Sequence, residues 1–226
     1  METAQKRRNR EWMIAAGLIL LAVIPSVAGV FRISEIATGA PETPANSRFL
    51  QLPLPVVVHI IAALIYSIVG AFQFLPTLRR RRTSWHVLAG QYLVLPSGVL
   101  VGVTGLWMTA AYQTPLVDGP ALAASRYVVG LAMLAFLALA VVAVTQHRYR
   151  AHGEWMIRAY ALALGAGTQV LTSAPFLIIF GAPDELGRLL QMDAGWLLNV
   201  VAAELIIRAR RQSRTPARRP APRLSV

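Results

Sequence analysis

The sequence predicts an all-α membrane protein, a polytopic helix bundle of about six transmembrane helices with both termini in the cytoplasm. Three observations support this fold class. Of the 226 residues, 56% are hydrophobic and only 14% are charged, whereas an average soluble domain is about 25% charged. The apolar residues lie in runs of about 20, the length that crosses a bilayer as a helix. Basic residues gather in alternate segments between these runs, as they do in multi-pass proteins.

Six apolar runs are candidate spans. Lipid offers the backbone no hydrogen-bond partner, and the runs show no strict alternation, so helices rather than barrel strands are predicted. The sixth run is the weakest because Asp193, Asn199 and Glu204 interrupt it. It can cross the membrane only if these groups face protein or water. The six predicted spans are residues 12–31, 54–74, 86–108, 126–145, 155–180 and 190–207.

The basic residues predict the orientation of the spans. All but four of the 22 lie before the first span, after the second, around the turn between the fourth and fifth, or after the sixth. The span order puts these four segments on one side of the membrane. Because basic residues favour the cytoplasmic side, the sequence predicts a multi-pass protein of the cell inner membrane. The four basic residues on the opposite side are Arg32, Arg48, Arg126 and Arg188.

The chain is predicted to form a single transmembrane domain over residues 1–207 and a basic, disordered cytoplasmic tail over residues 208–226. The tail is mostly Arg, Pro, Ala and Ser and has no aromatic residue. It therefore favours anionic lipid headgroups as its surroundings, and no nucleic-acid partner is predicted despite the net charge of +12. A basic start before an apolar run is also typical of a secretory signal. The first run is longer than the roughly 7 to 15 residues of a signal core, which favours an uncleaved first helix.

Polar residues inside the spans indicate which helix faces point inward, because each one needs a partner or a cavity. At about 100° per residue, the second and third spans each carry one such stripe, and each stripe begins with a histidine. The stripes are His59, Tyr66, Gly70 and Gln73 in the second span, and His86, Gly90, Ser97 and Thr104 in the third.

Three other patterns predict structural features rather than sites. Glu154 and Arg158 have the spacing of a helical ion pair. Gly98 and Gly102 form a small-xxx-small pair, which is typical of close helix packing. Pro175 predicts a kink in the fifth span.

The four histidines are the candidate cofactor ligands. His59 lies towards the outer end of the second span, whereas His86, His147 and His152 lie near cytoplasmic span ends. Neutral imidazole is a good axial ligand for haem iron, so two histidines on facing helices could hold a b-type haem in a chain without cysteine. The alternative is that histidines near the membrane surface are ordinary amphipathic residues, and spacing alone favours that interpretation.

Three blocks of sequence, at residues 59–74, 78–90 and 152–161, resemble a bacterial family of predicted membrane proteins called domain of unknown function 2306. The block HGEWMIRAYA at 152–161 is the most specific. The resemblance covers residues 59–179. It implies a multi-span helical architecture and carries no established activity.

His59, His86 and His152 are also similar in position to ligands of the transmembrane di-haem cytochromes b that pass electrons from ascorbate. Those proteins carry a histidine on each of four consecutive helices. Ser125 stands at the start of the fourth span, where the comparison calls for a histidine. The resemblance therefore implies one haem, held by His86 and His152, with His147 as a reserve ligand.

Two functions remain open at this stage. The first is electron transfer through one haem b, with arginines 79–82 and Arg158 available to the haem propionates. The second is a non-catalytic membrane protein that binds a lipid, a quinone or a partner helix through the polar stripes. Motifs of metalloproteases, P-loop enzymes and α/β-hydrolases are absent from the sequence.

Overall fold

The computed structural model of the protein describes residues 2–213, without the side chains of residues 2–4 and 7. This part of the chain contains helices and turns and no strand. Its α-helices are α1 (Glu2–Thr38), α2 (Ser47–Gln51), α3 (Pro53–Gln73), α4 (Pro76–Arg81), α5 (Thr83–Ala89), α6 (Leu95–Ala111), α7 (Gly119–Thr145), α8 (Tyr149–Ala163), α9 (Gly165–Phe180) and α10 (Glu185–Gln212).

These helices form the predicted membrane spans. α1, α3, α7 and α10 are each long and apolar enough to cross a membrane, and α5 and α6 join into one span over Thr83–Ala111. α8 and α9 are long and apolar enough for a sixth span only as a pair, which is bent by 44° at their junction. The prediction of an all-α bundle with about six transmembrane helices is confirmed. We call the side that carries the arginine-rich segments the inner side and the opposite side the outer side.

The bend in the fifth span lies at Leu164, whereas the sequence predicts a kink at Pro175. α9 runs without interruption through Pro175. Just after the bend, Gly165 lies directly against the indole of Trp196 in α10, and a Cβ there would collide with it. The bend therefore coincides with close packing of α10 against a glycine. This tertiary contact cannot be predicted from the sequence of the fifth span alone.

The third span contains one π-helical turn, Gly90–Val94, between α5 and α6. The Leu95 N–H donates to the carbonyl at the start of this turn, and the next residue, Pro96, has no N–H to donate. The turn changes the angular register between the residues before it and those after it. His86 and Thr104 therefore do not share the uniform stripe that a regular helix predicts.

A layer of two tyrosines fills the centre of the bundle formed by α3, α6, α7 and α8. Tyr66 is fully buried, and its ring lies 5.6 Å from that of Tyr160. The Tyr160 hydroxyl donates to the Ser67 carbonyl over 2.6 Å. Glycine is required at positions 70 and 98, because a Cβ at Gly70 would meet the Tyr160 ring and one at Gly98 would meet the Tyr66 ring.

The small-xxx-small pair in the third span packs as predicted. Gly98 lies against Tyr66 of α3, and Gly102 lies against Leu134 of α7. The two glycines thus let α6 approach two neighbours at once.

The three polar residues that interrupt the sixth span, Asp193, Asn199 and Glu204, face protein, which meets the condition for this weak span to cross the membrane. Each has a partner on another helix, so its polar group is not left bare in hydrocarbon. The partners are Ser125 for Asp193 (2.9 Å), Thr168 and Ala161 for Asn199 (2.8 and 3.0 Å) and Arg158 for Glu204 (2.6 Å).

The predicted ion pair between Glu154 and Arg158 is not formed. Arg158 instead pairs with Glu204 of α10, and Glu154 pairs with Arg150 at 3.2 Å and with Arg211 of α10. α10 packs along α8. Charged side chains of α10 therefore pair with Arg158 and Glu154 in place of the pair predicted between these two residues.

The last helix is longer than predicted. α10 continues to Gln212, so residues 208–212 of the predicted disordered tail are helical. Residues 214–226 of that tail lie outside the described residues.

Candidate functional site

A cavity of about 340 Å³ lies in the outer half of the bundle between α3, α6, α7 and the bent α8–α9 span. We call it the outer cavity. Its wall is mostly apolar, and its volume is at the small end of the roughly 300 to 1,000 Å³ of small-molecule sites. It extends from the outer connecting segments down to His59.

His59 lies where the outer cavity meets a second cavity of about 210 Å³ that borders α1. Its Nδ1 is 2.9 Å from the hydroxyl oxygen of Thr104. That hydroxyl already donates its hydrogen to the Leu100 carbonyl at 2.5 Å, so it can only accept from His59. We therefore assign the proton to Nδ1, which leaves a lone pair at Nε2.

The outer mouth of the cavity carries a cluster of arginines around one carboxylate. Asp118 is only 4% exposed and accepts from Arg126 at 2.7 Å and from Arg188 at 3.1 Å. Arg48 interacts electrostatically with the same carboxylate and donates to the Gln113 carbonyl at 3.2 Å. Burial of the guanidinium lowers the pKa of Arg48. Three arginines thus gather around the Asp118 carboxylate.

Arg48 keeps one unused donor. Its Nε is buried and has no hydrogen-bond partner in the described part of the chain. By contrast, two hydroxyls near the mouth are already engaged: Tyr112 donates to the Leu52 carbonyl at 2.8 Å and Thr109 to the Gly105 carbonyl at 2.8 Å. The outer cavity thus has the Nε2 acceptor of His59 at one end and the guanidinium of Arg48 in its wall at the other, where the Nε atom itself is buried.

A lateral groove of about 780 Å³ runs between α7 and α10. The hydrogen-bonded pair of Ser125 and Asp193 lies towards its outer end, and the ion pair of Arg158 and Glu204 lies towards its inner end. The wall between these pairs is largely apolar. The residues that line both the lateral groove and the outer cavity are Val129, Leu162 and Trp196.

The two inner histidines lie near each other. His86 and His152 are close enough to interact electrostatically, and Arg79 lies near His86. His152 Nδ1 donates to the Ala140 carbonyl at 3.0 Å, which leaves its Nε2 lone pair free, as in many metal-ligating histidines. His86 Nδ1 is buried without a hydrogen-bond partner among the described residues.

The other two predicted ligands lie apart from this pair. His147 is exposed, has a left-handed backbone conformation with φ of 57°, and places Nδ1 3.1 Å from the Tyr149 hydroxyl. His59 lies on the outer side of the tyrosine layer. Neither His86 nor His152 lines the outer cavity, the second cavity or the lateral groove. Among the described residues, no group of three or more His, Cys, Asp or Glu side chains is arranged to hold a metal ion.

Sequence reasoning missed most of the outer site. Arg48, Asp118 and Trp196 lie far apart in the chain, and no local motif connects them. One signal was present: Arg48 and Arg126 belong to the four basic residues that oppose the positive-inside bias. Basic residues are disfavoured on the outer side, so their presence there indicates a specific role. Two of the four line the outer cavity.

A family model of predicted membrane proteins, DUF2306, matches residues 56–207. The chain belongs to this family. The match begins three residues before the 59–179 region recognised from sequence blocks and also takes in α10, so the sixth span is part of the family domain. No curated protein and no solved structure matches the chain. The family establishes a membrane protein and brings no activity with it.

Proposed function

We propose that the protein binds a ring-headed amphiphile of the bilayer, such as a quinol, in the outer cavity. The observation that carries the proposal is the orientation of His59. Its hydrogen bond to Thr104 leaves an acceptor at Nε2, at the base of a largely apolar cavity inside a membrane bundle. A ligand hydroxyl donating to this nitrogen would gain a hydrogen bond in a medium where water does not compete.

The other end of the cavity supports a second polar contact. The guanidinium of Arg48 lines this end, and its positive charge favours an electron-rich ligand group there. A ligand with a hydroxyl at one end, an oxygen at the other and an apolar body between them suits both ends of the cavity. A quinol has this arrangement on a single ring.

The test uses ubiquinol with one isoprene unit, kept reduced under anaerobic conditions, and the full chain in phosphatidylcholine nanodiscs. We expect saturable binding above that of empty nanodiscs. His59→Phe should weaken it about tenfold or more, because a lost hydrogen bond of about 1.4 kcal/mol corresponds to a factor of ten. His147→Phe is the control, since His147 is exposed and lies away from the cavity. Equal affinity of the His59 variant and the unmodified protein would contradict the proposal.

A second candidate function is electron transfer through one haem b held by His86 and His152. The observation in its favour is the donor set: two neighbouring imidazoles, one with its Nδ1 engaged by a carbonyl and one with a buried, unpartnered Nδ1. A bound haem would supply one-electron chemistry. Of the arginines predicted to meet its propionates, Arg158 is already paired with Glu204, so Arg79 is the better placed.

The haem proposal is tested by the visible spectrum of the reduced protein, purified after expression with ample haem precursor. A haem band that disappears in His86→Ala, while the variant elutes as a folded protein, would support it. A colourless unmodified protein would reject it and leave the outer-cavity proposal unaffected.

We place the protein in the cell inner membrane with both termini in the cytoplasm. The distribution of the basic residues supports this location, and six spans would return the chain to the side on which it starts. A green fluorescent protein fused to the C-terminus should fluoresce, and an alkaline phosphatase fused there should be inactive. The reverse pattern would overturn the orientation and would exchange the outer and inner sides used above.

A further inference from the structure

We infer that the lateral groove holds the apolar tail of the ligand and is the route by which the ligand enters from the bilayer. This inference rests on the proposed function, because it extends the site of the ring in the outer cavity. It defines the ligand further, as a ring carrying one long hydrocarbon tail.

The adjacency of the two spaces is the first support. Val129, Leu162 and Trp196 line both the outer cavity and the lateral groove, so the two spaces lie side by side at these residues. Trp196 is the largest of the three, and its indole packs directly on Gly165 at the bend of the fifth span. A ligand with its ring in the cavity and its tail in the groove would pass beside these three side chains.

The openness of the groove to lipid is the second support. Val128, Leu190 and Leu197 line it and are largely exposed, so in a membrane they contact acyl chains. A ligand dissolved in the bilayer can reach the groove without crossing water. The mouth among the arginines, by contrast, is a polar route that a long hydrocarbon tail would avoid.

The composition of the groove is the third support. Its polar side chains lie towards the two ends and are paired with each other, apart from one buried Asp193 oxygen without a hydrogen-bond partner. Between the ends the wall offers hydrocarbon contacts, which suit an isoprenoid or alkyl tail. The volume of about 780 Å³ exceeds that of the outer cavity and leaves room for such a tail in addition to the ring.

The test compares ubiquinol with one isoprene unit and ubiquinol with eight, both as mole fractions in phosphatidylcholine nanodiscs. Val200→Trp fills the groove from a half-exposed position of α10 that does not line the outer cavity. Val201→Trp is the matched control, because the neighbouring valine is 48% exposed and lines neither space. Melting temperatures of both variants establish that they fold.

We expect the unmodified protein to prefer the long-tailed quinol by about threefold, since in a bilayer the tail leaves no water and gains only closer packing against the groove wall. Val200→Trp should remove this preference and leave the affinity for the short-tailed quinol within about twofold, and Val201→Trp should change neither affinity. Failure of the short-tailed quinol to bind the unmodified protein would defeat the proposed function itself. Binding of both quinols with no effect of Val200→Trp would defeat only the inference. Loss of a co-purified phospholipid from Val200→Trp, with both quinol affinities unchanged, would also overturn it and assign the groove to a structural lipid.

Discussion

The histidines of the outer and inner halves of the bundle differ in their surroundings. In the outer half a single histidine, His59, borders two cavities and has its proton position fixed by Thr104. In the inner half His86 and His152 lie near each other but line none of the three spaces described above. Proximity of two ligating side chains and room for a ligand are thus separate properties, and this protein shows them in different halves.

The tyrosine layer explains why the halves are independent. Tyr66 and Tyr160 fill the middle of the bundle, and Gly70 and Gly98 allow their rings to fit there. Tyr66 lines the second cavity, so a ligand that reaches past His59 into that cavity meets this layer. The histidine pair lies beyond it.

The largest expected loss of stability comes from a substitution that disrupts the tyrosine layer between the two halves. In Gly98→Val the new side chain would meet the Tyr66 ring and Leu137. We expect a loss of about 3 kcal/mol in the free energy of unfolding, the upper part of the range for overpacked cores. Gly17→Val is the control, because nothing lies within 4 Å of a Cβ at Gly17. Thermal unfolding followed by size-exclusion chromatography measures both, and equal melting temperatures would disprove the role of the layer.

A smaller effect should come from the charge cluster of the outer half. Asp118→Asn would leave Arg126 and Arg188 without their shared carboxylate, at an expected cost of about 2 kcal/mol in the free energy of unfolding, as for hydrogen bonds to charged groups. The inner counterpart is Glu154→Gln, whose partner arginines are about half exposed and well screened. Chemical denaturation should show a smaller loss for the inner variant. A larger loss there would reverse the comparison.

The smallest expected effect is a loss of quinol affinity that tests the assignment of the His59 proton to Nδ1. Thr104→Val keeps the shape of the side chain but removes the acceptor for Nδ1–H. We expect the affinity for the short-tailed quinol to fall about threefold, as expected for a neutral hydrogen bond. Ser97→Ala removes a similar hydroxyl, bonded to the Leu93 carbonyl, with no histidine beside it. Titration of both variants in nanodiscs decides the point, and equal weakening by the two would refute the assignment.

The spans could be predicted from sequence because their signals are local. The lengths of the apolar runs and the placement of the basic residues predict six crossings. The polar groups that interrupt the sixth span are hydrogen-bonded in the structure, as the prediction requires. The bend at Leu164 and the π-helical turn at Gly90–Val94 could not be predicted in this way. Both depend on interactions outside the apolar pattern: the packing of Trp196 on Gly165, and the missing N–H of Pro96.

The candidate site was predictable only in part. The approach of His86 to His152 followed from the resemblance to the di-haem cytochromes, and the structure places the two near each other. The haem itself remains a prediction. The outer cavity depends on Arg48, Asp118 and Trp196, which come from three distant segments, so its existence is a property of the assembled bundle rather than of any motif.

The shared carboxylate of Asp118 has a thermodynamic consequence for the outer surface. Through Arg48, Arg126 and Arg188, a single negative charge ties together the segment before the second span and the starts of the fourth and sixth. Any bound molecule that attracts Arg48 competes with this anchor. Ligand binding in the cavity and the order of these three surface segments are therefore thermodynamically coupled. A ligand that changes the order of the segments has its own affinity changed by the same coupling free energy.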